Sequence, residues 1–155
     1  MSIQAEGLEE LRRALGATAD RARDPREALE AEARALAALV DGAFAGNRSP
    51  DGRGWAPRKV VAVGRGRRAR PRSDARSGRD LLERTGRLRD SIDARVEGDA
   101  IVVEASAPYA AYVHAARPFL PYEADGSPMT RGPAGEFFEA MPGRIAAWIV
   151  GEVRR

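Results

Sequence analysis

His114 is the one histidine of the 155-residue chain, and it stands in the stretch PYAAYVHAARPFLPY, Pro108 to Tyr122. The same stretch holds all three tyrosines (Tyr109, Tyr112 and Tyr122) and Phe119. An imidazole could serve as a general base near neutral pH or as a metal ligand. The rest of the chain gives it little help. There is no cysteine, so thiolate catalysis, disulfides and zinc–cysteine sites fall away together. A Ser-His-Asp arrangement could use only His114, and no nucleophile elbow accompanies it. A metal would need carboxylates beside the ring, yet the nearest acids, Glu104 and Glu123, belong to different segments. The expectation is a half-buried histidine bonded to backbone or set at an interface. No catalytic, metal-ligating or cofactor-binding residue is assigned.

A second chemistry is carried by arginine. Between Arg58 and Arg79 stand Arg58, Lys59, Arg65, Arg67, Arg68, Arg70, Arg72, Arg76 and Arg79, against the single acid Asp74. The whole chain has a net charge of only +3, so this concentration is local. Clustered arginines attract phosphates without regard to sequence and in a strongly salt-dependent way. Arg65, Arg67, Arg68, Arg70 and Arg72 are the candidate contacts to DNA or to an acidic partner. No aromatic residue interleaves with them, so base stacking on a single strand is not expected. The GRGRR stretch at Gly64 follows no convincing strand and opens no helix, which makes it a poor phosphate cradle.

The elements around these residues point to an α+β chain, with N- and C-terminal helices packed on a small antiparallel sheet and a long basic loop or arm between. Leu8, Leu11 and Leu15 form an apolar stripe at helical spacing. Asp24-Pro25-Arg26-Glu27 reads as a restart, with Asp24 at the N-cap and Pro25 at N1. A second helix then carries Leu29, Leu36, Val40 and Phe44 on one face with Ala33 and Ala37 beside them, ending near Gly42 to Gly46. The segment 46–79 is loop or arm by its Gly, Pro and Arg content. Within it Trp55 lies off any apolar stripe, as an anchor to the core or to a partner.

Asp80 to Ile92 is spaced for a short helix, and a hairpin follows around Gly98, with strands near Ile92–Glu97 and Ala100–Ser106. At the C-terminus Phe137, Phe138, Met141, Ile145, Trp148, Ile149 and Val153 recur at helical spacing. Trp148 reads as core, and Pro142 is expected to kink or divide that helix. The length suits one domain over 1–155: a helical part to residue 45, the arm to 79, then helix, hairpin and helix. No apolar run reaches the roughly 18 residues of a membrane span, and a cytoplasmic product is the default expectation.

Three landmarks in order resemble the phage virion morphogenesis family, the tail-completion or neck proteins of tailed phages of the Mu-like and P2-like kind. They are DGRGWAPRK, LLERTGRLRDSI and PYAAYVHAARPFLPY, spanning about Arg48 to Glu123. The family typically runs from Tyr-Ala through His-Gln-Phe-Gly and a variable loop to Arg-Pro-Phe. Here His114 is followed by Ala115, Ala116 and at once by Arg117-Pro118-Phe119, so that loop is shortened or lost.

The resemblance implies a structural, non-enzymatic protein without cofactor. Such a protein would work in the virion or a phage-like particle as a ring of identical subunits that helps join the tail to the DNA-filled head. Its partners would be other copies of itself, other head, neck or tail proteins and, non-specifically, the packaged DNA. Under that reading Trp55, Tyr109, Tyr112, His114, Arg117 and Phe119 are the candidate interface residues. Trp55 would pin the loop to its own or the next subunit, Thr85, Gly86 and Leu88 would make a tight helix turn, and Arg117-Pro118-Phe119 would be a rigid exit from the sheet. The rival reading is a small basic DNA-binding or packaging accessory.

Overall fold

A computed structural model describes residues 8–55, 86–123 and 125–151, together with the backbone of 62–63 and 70–71. In chain order the elements are helix α1 (Leu8–Arg23), helix α2 (Arg26–Ala45), two short strands β1 (Ala62–Val63) and β2 (Arg70–Pro71), strands β3 (Ile92–Glu97) and β4 (Ala100–Ala105), helix α3 (Ala110–Ala116) and helix α4 (Gly132–Val150). β1 and β2 pair antiparallel with each other, and β3 pairs antiparallel with β4. Arg65, Arg67, Arg68, Arg72 and Thr85 lie outside the described residues. Of Arg70 only the backbone, in β2, is described.

Helix α2 is the centre of the fold because its apolar positions fall on one face. Leu29, Ala33, Leu36, Val40 and Phe44 are all buried, and Phe44 is wholly so. Fully burying a side chain of this kind stabilises by about 1.5–3 kcal/mol. The helix begins one residue later than the restart signal suggested. Pro25 occupies the N-cap, and Asp24 acts from one step further out, its Oδ1 accepting from the amide of Arg26 at 3.2 Å. The short carboxylate still satisfies an orphan donor, so the chemistry is that of a cap. Gly46 closes the helix, its amide bonded to the carbonyl of Gly42 at 2.9 Å.

The hairpin β3–β4 lies against α2. Its two-residue loop has Gly98 at φ +64°, which suits the first central position of a II′ turn. The register pairs Ile92 with Ala105, Ala94 with Val103 and Val96 with Ile101, so one face of the hairpin is apolar throughout. On the other face Asp93 stands directly opposite Glu104. Like charges in that position repel, and Arg95 resolves the conflict. Its guanidinium donates to Asp93 at 3.0 Å, to Glu104 at 2.7 Å and to Glu97 at 2.7 Å. Those hydrogen bonds, led by the one to Glu104, push the Arg95 pKa upward, and the same bond pulls that of Glu104 down.

Three expectations need correction. The described part of 80–92 is not an α-helix running to Ile92. Gly86 adopts φ +73°, a short 3-10 turn covers Arg89–Ser91, and Ile92 already belongs to β3. Gly86 breaks the α-helical path because it sits in the left-handed region. Of the two outcomes expected at Pro142, division does not occur, since α4 is one helix through it. Pro142 is on an exposed side of that helix, where water can solvate the carbonyl that its missing N–H leaves unpaired. Trp148 is partly exposed at a groove between α2 and α4 and is not a core residue.

Helix α4 is tied to the rest through its first turn and its middle. The amide of Ala134 donates to the carbonyl of Pro50 at 3.0 Å. Gly132, at φ +59°, lies so close to the carbonyl of Asp51 that a Cβ there would overlap it. Further along, Arg144 donates to both oxygens of the buried Glu32 on α2, at 2.8 and 2.5 Å, and its guanidinium lies 4.7 Å from the centre of the Phe137 ring. These hydrogen bonds raise the Arg144 pKa. Helix α1 differs from the other long helices in having no buried residue.

Candidate functional site

The three sequence landmarks meet in one cluster. Trp55 comes from the first, Leu88 and Ile92 from the second, and Ala110, Val113, Phe119 and Leu120 from the third, all packed around Val40 and Phe44 of α2. The Trp55 ring meets Phe44 edge-on with centroids 5.5 Å apart, and Phe119 tilts against Phe44 at 5.9 Å. Such aromatic pairs add about 0.5–1.5 kcal/mol beyond area burial. The indole Nε1 of Trp55 donates to the carbonyl of Pro118 at 2.9 Å. Trp55 therefore pins its loop to its own chain. The loop itself is folded tightly: Asn47 takes φ +50°, Arg48 and Gly54 bridge, and the Trp55 amide donates to the carbonyl of Asn47 at 3.1 Å. At its tip Asp51 forms an ion pair with Arg53 and accepts from the Arg53 amide at 3.0 Å.

The stretch 108–122 contains a helix that the sequence reading did not anticipate. Arg117-Pro118-Phe119 is thus the exit from α3 and not from the sheet, which is a correction. Pro118 acts as expected on its predecessor, which is extended at φ −145° and ψ 92°. Phe119 has no exposed surface.

His114 holds this turn closed. Its Nδ1 faces the amides of Phe119 at 3.2 Å and Leu120 at 3.4 Å, and its Nε2 lies 3.1 Å from the carbonyl of Tyr122. Two N–H donors on Nδ1 require it to be the acceptor, so the proton sits on Nε2 and is donated to Tyr122. Burial holds the His114 pKa below its ordinary value, with the Tyr122 carbonyl and the Glu123 charge opposing. The neutral ring is the form this geometry needs. Both nitrogens are engaged by backbone, which leaves neither to a substrate or a metal. Among the described residues no group of three or more His, Cys, Asp or Glu could hold a metal ion.

The six candidate interface residues therefore fall into two sets. Trp55, Phe119 and His114 are inward, and Arg117 is partly buried beside them, lining a cleft of about 180 Å³ with Trp55, Arg53 and Pro118. Tyr109 and Tyr112 face outward, Tyr112 with 82% of its surface exposed. The largest exposed apolar side chains missed as candidates are Leu8, Leu11 and Leu15 on α1, at 61%, 56% and 61%. Their i, i+3, i+7 spacing was visible, but a stripe does not itself say whether its own fold covers it.

The landmark motifs are spent on core packing and loop clamping. Residues 7–131 match the model of the phage virion morphogenesis family, and the chain belongs to that family. Searches of curated proteins and of solved structures gave no match. The family is one of phage assembly, and its members' role is structural and associated with the virion. No described helix is long and apolar enough to cross a membrane.

Proposed function

We propose that this protein is a tail-completion or neck component that helps join the tail to the DNA-filled head, acting as a closed ring of identical subunits. The observation that carries the reading is the family match over residues 7–131, since the matched span takes in all three landmarks. Its landmark residues converge on Phe44 in one packed core, which suits a subunit that holds its shape in a ring. Exposed leucines on α1 and exposed Tyr112 supply apolar surface beyond that body. Large exposed apolar side chains grouped on one element favour a protein partner. Other head, neck or tail proteins are the further partners, and the arginine-rich arm is a candidate for non-specific contact with the packaged duplex.

Native mass spectrometry of the full chain at high concentration tests the ring. The expected result is one closed oligomer of a single size. A strictly monomeric protein, together with particles that form normally without it, would overturn the reading.

A further inference from the structure

The segment from Pro118 to Pro121 belongs to no helix or strand, so its backbone groups must find partners elsewhere. They are taken up one by one. The Pro118 carbonyl accepts from the indole of Trp55 at 2.9 Å, and the Pro121 carbonyl from the amide of Met129 at 3.0 Å. The amides of Phe119 and Leu120 have Nδ1 of His114 as their one acceptor among the described residues. Between these ties the Phe119 side chain enters the core, with no exposed surface. A single titratable atom thus satisfies two neighbouring amides at the point where the segment joins the cluster around Phe44.

We propose that His114 is a proton-operated latch: a proton taken up at Nδ1 releases Phe119 and Leu120 and opens the 118–121 segment while α2 and the β3–β4 hairpin stay folded. A protonated Nδ1 is a donor and accepts from neither amide. Three N–H groups then converge where one lone pair had met two, and their like partial charges repel. The Nε2–H bond to the Tyr122 carbonyl survives protonation, so the ring stays attached at that end and the segment parts at the other. Leaving a buried amide unpaired costs more than its hydrogen bond contributes. Both amides must therefore reach water, which means lifting the segment off the cluster. Pro118 carries the change further. Its carbonyl holds the Trp55 indole, so the glycine-rich loop loses an anchor when the segment lifts.

The groups around the ring set the direction of the switch. Phe119 faces it edge-on with an uncharged ring, centroids 5.2 Å apart. Tyr122 presents its carbonyl, and its phenol, whose pKa burial raises, stays neutral in acid. Glu123 is the charge acting on the ring and favours the protonated form, while burial opposes it more strongly. Arg117, at the exit of the same helix, keeps its charge throughout. In the lifted segment the ring meets water and regains its ordinary basicity, so proton uptake and opening are one event. Falling pH opens the latch and rising pH closes it.

Amide hydrogen exchange resolved by residue tests this on the full chain, above and below the ordinary histidine value of 6.5. After correction for intrinsic rates, protection of Phe119 and Leu120 should fall by up to about tenfold per pH unit as the ring takes up its proton. Leu36 and Val40 in α2 should keep theirs. Protection lost at all four residues together would overturn the latch, because the proton would then act through global unfolding. So would unchanged protection at Phe119 and Leu120. In His114→Gln the pH-dependent fall at these two amides should vanish, and a fall of the wild-type size would refute the assignment to His114. Nitrogen-15 spectra of the wild-type ring decide the matter if that variant does not fold. They should show a bare Nδ1 and a protonated Nε2 at neutral pH, and a proton on Nδ1 there would contradict the latch.

Discussion

The indole of Trp55 donates to the carbonyl of Pro118 at 2.9 Å, joining the glycine-rich loop to the exit of α3 across 63 residues of sequence. Replacing Trp55 by Ala removes this bond and the edge-on packing on Phe44 at once. The expected cost is about 3–5 kcal/mol, read from the shift of the urea midpoint. Trp55→Phe keeps a ring against Phe44 and loses the donor, so it should cost less, on the order of 1–3 kcal/mol for the unpaired carbonyl. Equal losses in the two variants would mean that the ring packing contributes nothing beyond the hydrogen bond.

His114 gives the fold a pH dependence whose sign follows from its neutral state. In the unfolded chain its pKa sits near the ordinary 6.5, and burial holds the folded value lower. The unfolded state therefore binds more protons in that interval, and stability rises with pH through it. The His114 contribution is complete above the unfolded value, is lost as pH falls through the folded one, and levels off below. Urea midpoints should decline in the wild type as pH falls below the ordinary histidine value of 6.5. In His114→Gln the starting stability should be lower and this decline flatter. Because the chain has a single histidine, an unchanged slope in that variant would refute the assignment.

Gly132 sits where neither backbone angle nor space admits a side chain. Its φ is +59°, and a Cβ would overlap the carbonyl of Asp51. Gly132→Ala should destabilise by more than about 1 kcal/mol, through the loss of the contact between the Pro50–Asp51 turn and α4. Thermal melting checks this, with Gly143→Ala as the control, since nothing lies within 4 Å of a Cβ at that helical position. Gly143→Ala should be neutral or stabilising.

The pair Glu32–Arg144 joins two helices 112 residues apart in sequence. Arg144→Ala strands a buried carboxylate and removes the guanidinium from the Phe137 ring, so a loss on the order of 2 kcal/mol is expected. The Arg144 side chain is 42% exposed, which keeps the figure below that of a fully buried pair. Glu32→Gln, which keeps an oxygen acceptor, should lose less. The reverse order would place the weight on the Glu32 charge and leave none for the ring contact.

The helical stripe of α2, the hairpin around Gly98 and the anchoring of Trp55 were legible because each is signalled by local spacing or residue type. Phe44 and Val40 fall at helical spacing, and Gly98 has the φ that a tight hairpin asks for. Helix α3 was not legible. Its seven residues lie between Pro108 and Pro118, too few for a 3.6-residue period to separate from a turn. Nor could Pro142 announce that its helix continues, since that depends on which side of α4 meets water. The Glu32–Arg144 pair and the Asp51–Gly132 contact have no local signal at all. For the site, the sequence led from the lone histidine to a backbone-bonded ring, and the geometry supplied the tautomer. Phe119 is interior, and the leucines of α1 are exposed instead.

The arginine-rich arm leads to a separate prediction. If it meets the duplex, the full chain should shift DNA in a gel in a strongly salt-dependent manner, and deleting 65–79 should abolish most of that shift. Unchanged affinity in the deletion would remove the arm from any nucleic-acid role.

Electron microscopy of particles assembled without this protein tests the central claim most directly. A head–tail joining role predicts DNA-filled heads and separate tails that accumulate unjoined, and joining restored when the wild-type protein is supplied. Intact tailed particles forming at the normal yield in its absence would contradict it.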